Sequence, residues 1–145
     1  MEQSVNVYKR ESELIIASYS KTIAGFWMFN GWLRQVRAET DDGGLGAAIM
    51  SALDASENDI DTPAPNSSPD APLLKMLGLR SYGAFMIGTQ CVRVNRDGGA
   101  MQITPKRNGG RRDGFTELID RTERLETPTA QRIGTAVRDG LQKAL

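Results

Sequence analysis

Eight carboxylates fall between residues 39 and 74, with no Lys or Arg among them: Glu39, Asp41, Asp42, Asp54, Glu57, Asp59, Asp61 and Asp70. Carboxylates so gathered can hold a cation or meet a basic partner. The spacing Asp54-x2-Glu57-x-Asp59-x-Asp61 faintly resembles a calcium loop, but it lacks the central Gly and closing Glu of one. No metal site is expected from it. An acidic surface that steers a basic partner is the better fit. A nuclease domain is such a partner, because it must bind phosphates. The plainer alternative is that Asp41, Asp42 and Asp70 cap helices while the other acids keep a loop soluble.

The chain has 18 Lys plus Arg and 18 Asp plus Glu, so it is neutral in sum. Outside the acidic stretch it carries 18 basic and 10 acidic residues, a balance of +8. The densest basic part is 93–112, with Arg93, Arg96, Lys106, Arg107, Arg111 and Arg112 against Asp97. Arginines beside glycines can contact nucleic-acid phosphates, which makes a small nucleic-acid-binding module the second reading. No P-loop pattern is present, and a solvated loop at 106–114 is the bland one.

Other chemistry is excluded by composition. There is no His and one Cys, Cys91. No Ser-His-Asp triad, Cys-His dyad, HExxH zinc site or Cys-based zinc finger can be built from this chain alone. Cys91 has no base to activate it and reads as a small buried hydrophobe. No internal disulfide is possible. The protein is expected not to be an enzyme, to need no cofactor and to bind no small molecule.

These residues need a frame, and the 145-residue length suits one domain over 1–145. Val5 and Val7, then 14–19, read as two strands around a polar turn. Asn30-Gly31 between apolar residues predicts a type I′ hairpin, with a bulged single strand as the alternative. Thr40-Asp41-Asp42 opens a helix over about 43–55, where Leu45, Ala48, Ile49, Ala52 and Leu53 recur at helical spacing. Residues 56–71 form an internal proline-rich acidic loop. Asp70 is expected to cap a short helix containing Pro72 and stopped by Gly78, and Ser81 to cap another. Residues 91–94 and 101–104 read as a hairpin. A mostly polar strand lies within 115–125. Thr127-Pro128 reads as the opening of a last helix. Phe26, Trp27, Phe29 and Trp32 are expected mainly in the core or on a sheet face.

The two halves echo each other. Val5-Asn6-Val7 matches Val92-Arg93-Val94, and Leu14 and Ile16 match Met101 and Ile103, at one offset of 87. Leu45-Gly46-x-Ala48-Ile49 matches Ile133-Gly134-x-Ala136-Val137. The expected architecture is therefore α+β. It is a mainly antiparallel sheet with two longer helices packed on it, built as two β-β-β-α repeats, the alternative being a chance similarity of two amphipathic helices that follow strands.

Three stretches carry a resemblance. Val7-Tyr8-Lys9-Arg10, Ser20-Lys21-Thr22-x-Ala24-Gly25-Phe26-Trp27 and Leu45-Gly46-Ala47-Ala48-Ile49-x2-Ala52-Leu53-x-Ala55-Ser56 resemble the immunity proteins of bacterial contact-dependent growth inhibition systems. Ser81-Tyr82-x-Ala84-Phe85-Met86 and Thr104-Pro105-x-Arg107-Asn108 are similar as well. The resemblance covers most of the chain, and its motifs are structural rather than catalytic. It implies a small cytoplasmic protein that binds and blocks the C-terminal domain of a cognate toxin, and occlusion of the toxin's active site is the expected mode. Toxins of these systems are often nucleases, including ones that cut tRNA. On this reading the eight carboxylates are the toxin-binding residues, and neither a membrane nor nucleic acid is a direct partner. The start of the chain offers no signal peptide, and the greasiest stretch, 23–33, is too short to span a bilayer.

Overall fold

Apolar alternation in the first strands and a small-residue stripe in the first long helix set the arrangement of the computed structural model. It describes residues 1–64 and 68–145. Residues 65–67, inside the proline-rich segment, lie outside the described residues. The elements are β1 (Glu2–Arg10), β2 (Glu13–Lys21), β3 (Trp27–Arg37), α1 (Asp42–Asp54), α2 (Ala71–Leu77), α3 (Tyr82–Met86), β4 (Gln90–Asp97), β5 (Ala100–Asn108), α4 (Gly110–Asp113), β6 (Phe115–Glu117), β7 (Glu123–Leu125) and α5 (Ala130–Lys143). The strands form one antiparallel sheet in the order β3-β2-β1-β4-β5-β6, with β7 also paired to β5. The α+β expectation is met.

The register has the symmetry of the sequence repeat. At the centre of the sheet Asn6 faces Arg93, while Val5 faces Val94 and Val7 faces Val92. Each residue thus pairs across a local twofold axis through Asn6 and Arg93. One ladder out, Val7 faces Ile16 and its equivalent Val94 faces Ile103.

One face of the sheet carries α1 and α5. Val5, Val7, Leu14, Ile16, Val92, Val94, Met101 and Ile103 point into it and meet the buried Leu45, Ile49, Leu53, Ile133, Val137 and Leu141. Each large apolar side chain so buried stabilises the fold by about 1.5–3 kcal/mol. The two helices touch where each has a glycine. A Cβ on Gly46 would lie 1.7 Å from the Ala130 carbonyl oxygen, and one on Gly134 would lie 1.9 Å from that of Asp42. The contact is reciprocal, as the repeat requires, and only hydrogen fits at either position.

The other face is divided. One half holds Tyr8, Ile15, Ala17 and Cys91 under Leu73, Phe85 and Met86 of α2 and α3. The equivalents of Tyr8, Ile15, Ala17 and Cys91 across the axis are Asn95, Gln102, Thr104 and Ser4, all polar. At the seam the Tyr8 and Tyr19 hydroxyls bond at 2.6 Å, and burial pushes both phenols up.

Several local expectations change. Asn30-Gly31 makes no hairpin. β3 is one strand with a bulge, where 30–32 stand opposite Ser18. Gly31 has φ +94°, which suits glycine. The Asn30 side-chain amide lies within 3.1 Å of Ser18 Oγ, Ser20 Oγ and the Ala55 carbonyl, so it serves the bulge instead of a turn. Residues 106–114 are not a free loop, because β5 runs to Asn108 and α4 comes next. The strand expected within 115–125 is broken into β6 and β7 by a 3-10 turn at Ile119–Arg121. The last helix opens two residues later than expected. Thr129, not Thr127, accepts from Arg132 N at 3.2 Å, so Pro128 precedes the cap. Asp70 precedes α2, but its side chain makes no capping bond. Ser81 does cap α3, and Gly78 ends α2 with φ +69°.

Candidate functional site

The acidic stretch does not form one face. α1 separates it into two groups by 13 residues, about 20 Å at the helical rise of 1.5 Å per residue. At the start of α1 the carboxylates serve the fold. Asp41 Oδ1 accepts from Gly44 N at 2.6 Å and caps the helix. Asp42 accepts from Arg138 Nε at 2.6 Å and from Thr135 Oγ1 at 2.7 Å, which ties α1 to α5. The Thr135 hydroxyl first, and then Arg138, holds the Asp42 carboxyl below its ordinary value. Arg138 also donates to the Ala38 and Thr40 carbonyls. Glu39 is exposed and lies 3.7 Å from Arg37, a contact of little energy.

At the far end of α1 the arrangement differs. Asp54 pairs with Arg96 at 2.8 Å, and Arg96 is itself held by Gln3. Beyond it, Glu57, Asp59 and Asp61 are exposed and have no cation within salt-bridge distance among the described residues. Asp70 is set apart at the start of α2, where burial pushes its carboxyl up.

The segment bearing the three free carboxylates is knit to the sheet. Ser56 Oγ donates to the Tyr19 carbonyl at 2.5 Å and accepts from Ser4 N at 3.1 Å. Glu57 N donates to Ser20 Oγ, and Asn58 Nδ2 to the Glu2 carbonyl. Lys21 N reaches the Glu57 carbonyl at 2.9 Å, Ile23 N the Ile60 carbonyl at 2.9 Å, and Ile60 N the Lys21 carbonyl at 3.2 Å. These bonds fix 57–62 against the turn that joins β2 to β3.

The expectations drawn from sequence placed no toxin-binding residue in that turn. Ile23 is 68% exposed and Phe26 64% exposed, so Phe26 leaves the core in which it was expected. Phe29 is buried and Trp32 half-buried, as expected of a core or sheet face. Trp27 lies half-buried on the polar half of the sheet, with Lys21 and Arg93 over its ring at 5.7 and 5.6 Å. The one available signal is Ile23-x2-Phe26, inside a stretch that otherwise reads as greasy strand.

The basic segment is partly occupied. Arg93 bonds Glu117 at 2.7 Å, with Ser4 and Asn95 beside it, and Arg96 holds Asp54. This leaves Arg107, Arg111 and Arg112 exposed near α4. Cys91 is buried among apolar side chains, which push its thiol up to about 12 and make it a poor nucleophile. No helix among the described residues is long and apolar enough to cross a membrane.

Solved structures that share this fold include two that cover the whole of this chain. One is a protein of unknown function from Neisseria meningitidis, 17% identical, with a TM-score of 0.81, covering 100% of this chain and 96% of that one. The other is the CdiA-CT/CdiI toxin and immunity complex from Yersinia pseudotuberculosis, 15% identical, with a TM-score of 0.80, covering 100% of this chain and 98% of that one. At these identities the likeness is one of fold. No curated protein matches the chain in sequence. The match to the CDI immunity protein family (CdiI) spans residues 3–144, and so this chain, with its frame of paired β-β-β-α units, belongs to the CDI immunity proteins.

Proposed function

We propose that this immunity protein neutralises a basic nuclease domain, one acting on tRNA, by covering its active site with the surface around Glu57, Asp59 and Asp61. The observation that carries the reading is the contrast among the acids. Asp41, Asp42 and Asp54 each have a partner within the chain, whereas these three are exposed, lack an ion-pair partner among the described residues and sit on a segment held in place. A carboxylate on a fixed backbone leaves only its side chain to be ordered on binding, so less of its Coulomb attraction to Lys and Arg is spent on ordering. Charges at a rim chiefly raise the association rate and make it salt-sensitive. The eight candidate carboxylates thereby narrow to three, with Glu39 and Asp70 as peripheral members and Asp41, Asp42 and Asp54 as structural ones.

The test is co-expression with the toxin domain encoded just upstream, read by growth rescue and co-purification. Cleavage of tRNA by the free toxin domain, suppressed when the immunity protein is added, is the expected result. A toxin domain that damages membranes, or one that stays active in the complex, contradicts the reading.

A further inference from the structure

We infer that the turn at residues 22–26 supplies the apolar anchor of the toxin interface, with Ile23 and Phe26 entering a recess in the toxin's basic face. The inference rests on the immunity reading and names the part of the surface that holds the partner.

Three observations support it. First, Ile23 and Phe26 are both large, apolar and about two-thirds exposed, and they share one short turn. The other large exposed apolar residues between the termini, such as Met50, Met76, Ile87 and Ile119, stand on separate elements. A lone exposed apolar side chain is ordinary, whereas a cluster marks an interaction site.

Second, the turn is held by hydrogen bonds from within and from outside. Thr22 N donates to the Phe26 carbonyl at 2.7 Å, Gly25 N to the Thr22 carbonyl at 2.9 Å, and Phe26 N to Thr22 Oγ1 at 3.0 Å. From outside, Ile60 and Thr62 bond Ile23 and Ala24. The exposure is therefore held by the fold, and little ordering remains to be done when a partner arrives.

Third, the surroundings specify the partner's chemistry. The segment that pins the turn bears Glu57, Asp59 and Asp61, so an apolar centre has an acidic border. Aromatic and aliphatic anchors within a polar rim are the anatomy of protein interfaces. A matching surface is basic with an apolar recess, which fits a phosphate-binding toxin domain and not the same patch on a second copy of this chain, which is acidic as well.

The test measures binding of the upstream-encoded toxin domain, inactivated in its active site, to the full chain. Four forms are compared: wild type, I23S/F26A, F26L, and E57K/D59K/D61K. The anchor variant is expected to bind about 30-fold more weakly through faster dissociation, with an unchanged salt slope. F26L is expected to stay within about threefold of wild type. The charge variant is expected to lose association rate and salt dependence. Because both apolar side chains are exposed, thermal melts should coincide and exclude unfolding. I23S/F26A binding as tightly as wild type while the charge variant weakens would overturn the anchor and leave the immunity reading intact. A wild-type chain that does not bind would overturn the immunity reading itself. Sedimentation showing a dimer that I23S/F26A dissolves, with toxin binding unchanged, would assign the turn to self-association and overturn the inference.

Discussion

The β2–β3 turn at 22–26 and the β5–β6 turn at 109–114 occupy equivalent places in the two β-β-β-α units, at opposite ends of the sheet. Lys21 faces Trp27 beside the first, and Asn108 faces Phe115 beside the second. Their chemistry is opposite. The first exposes Ile23 and Phe26 and is bordered by Glu57, Asp59 and Asp61. The second carries Arg111 and Arg112, with Arg107 just before it on β5, and packs through α4 on α3. Phe115 turns inward onto Tyr8 at 5.8 Å, whereas the Trp27 ring has the cationic side chains of Lys21 and Arg93 over it. The difference arises from the segment after α1. Residues 55–62 return to the sheet, pin the turn and bring acids to it. One repeated frame thus presents an acidic corner and a basic one.

The comparison can be broken at several levels. The largest effect belongs to the feature the units share. Gly46→Ala and Gly134→Ala each drive a methyl into the backbone of the opposite helix. Each should cost about 3 kcal/mol or more by denaturant unfolding. Equal losses support the twofold packing, and a tolerated substitution at one site argues against it. Next comes the pair Ile15 and Gln102, equivalent in place but opposite in environment. Ile15→Gln buries an amide under α2 and α3 and should cost about 3 kcal/mol. Gln102→Ile, on the exposed half, should change stability by no more than about 0.5 kcal/mol.

A smaller effect separates the two ends of the acidic stretch. The lowered Asp42 carboxyl means that the folded state favours the ionised form. Its contribution is present above the unfolded carboxylate value of 3.8 and is lost as pH falls through the lower folded value. Asp42→Asn should therefore melt below wild type at pH 7, with the gap closing under about pH 4. Asp70 behaves oppositely. Its raised carboxyl favours the folded state at low pH and opposes it as pH rises, so Asp70→Asn should melt slightly above wild type at neutral pH. Glu57→Gln, at the exposed end, should leave the melt unchanged.

Periodicity and local capping make much of this frame legible. β1, β2, α1, the β4–β5 hairpin and the twofold repeat come from alternation, helical spacing and the offset of Val5, Val7, Leu14 and Ile16 from their counterparts. The hidden part depends on partners distant in the chain. Nothing near Asp42 indicates Arg138, 96 residues away, and nothing near Asp54 indicates Arg96. Only those pairings show which carboxylates are engaged within the fold and which are free. Asn30-Gly31 misleads for the same reason. Its amide is satisfied by Ser18, Ser20 and Ala55 across the bulge, and a local turn rule cannot register those bonds.

The central claim is that the acidic corner, and not the basic one, meets the toxin. The most direct measurement is the affinity of the inactivated toxin domain for wild type, for E57K/D59K/D61K and for R107E/R111E/R112E, across a range of salt. The account predicts at least about tenfold weaker binding for the first variant, through slower association, and near-wild-type binding for the second. Weakening by the arginine reversals with no effect from the acidic ones would contradict it.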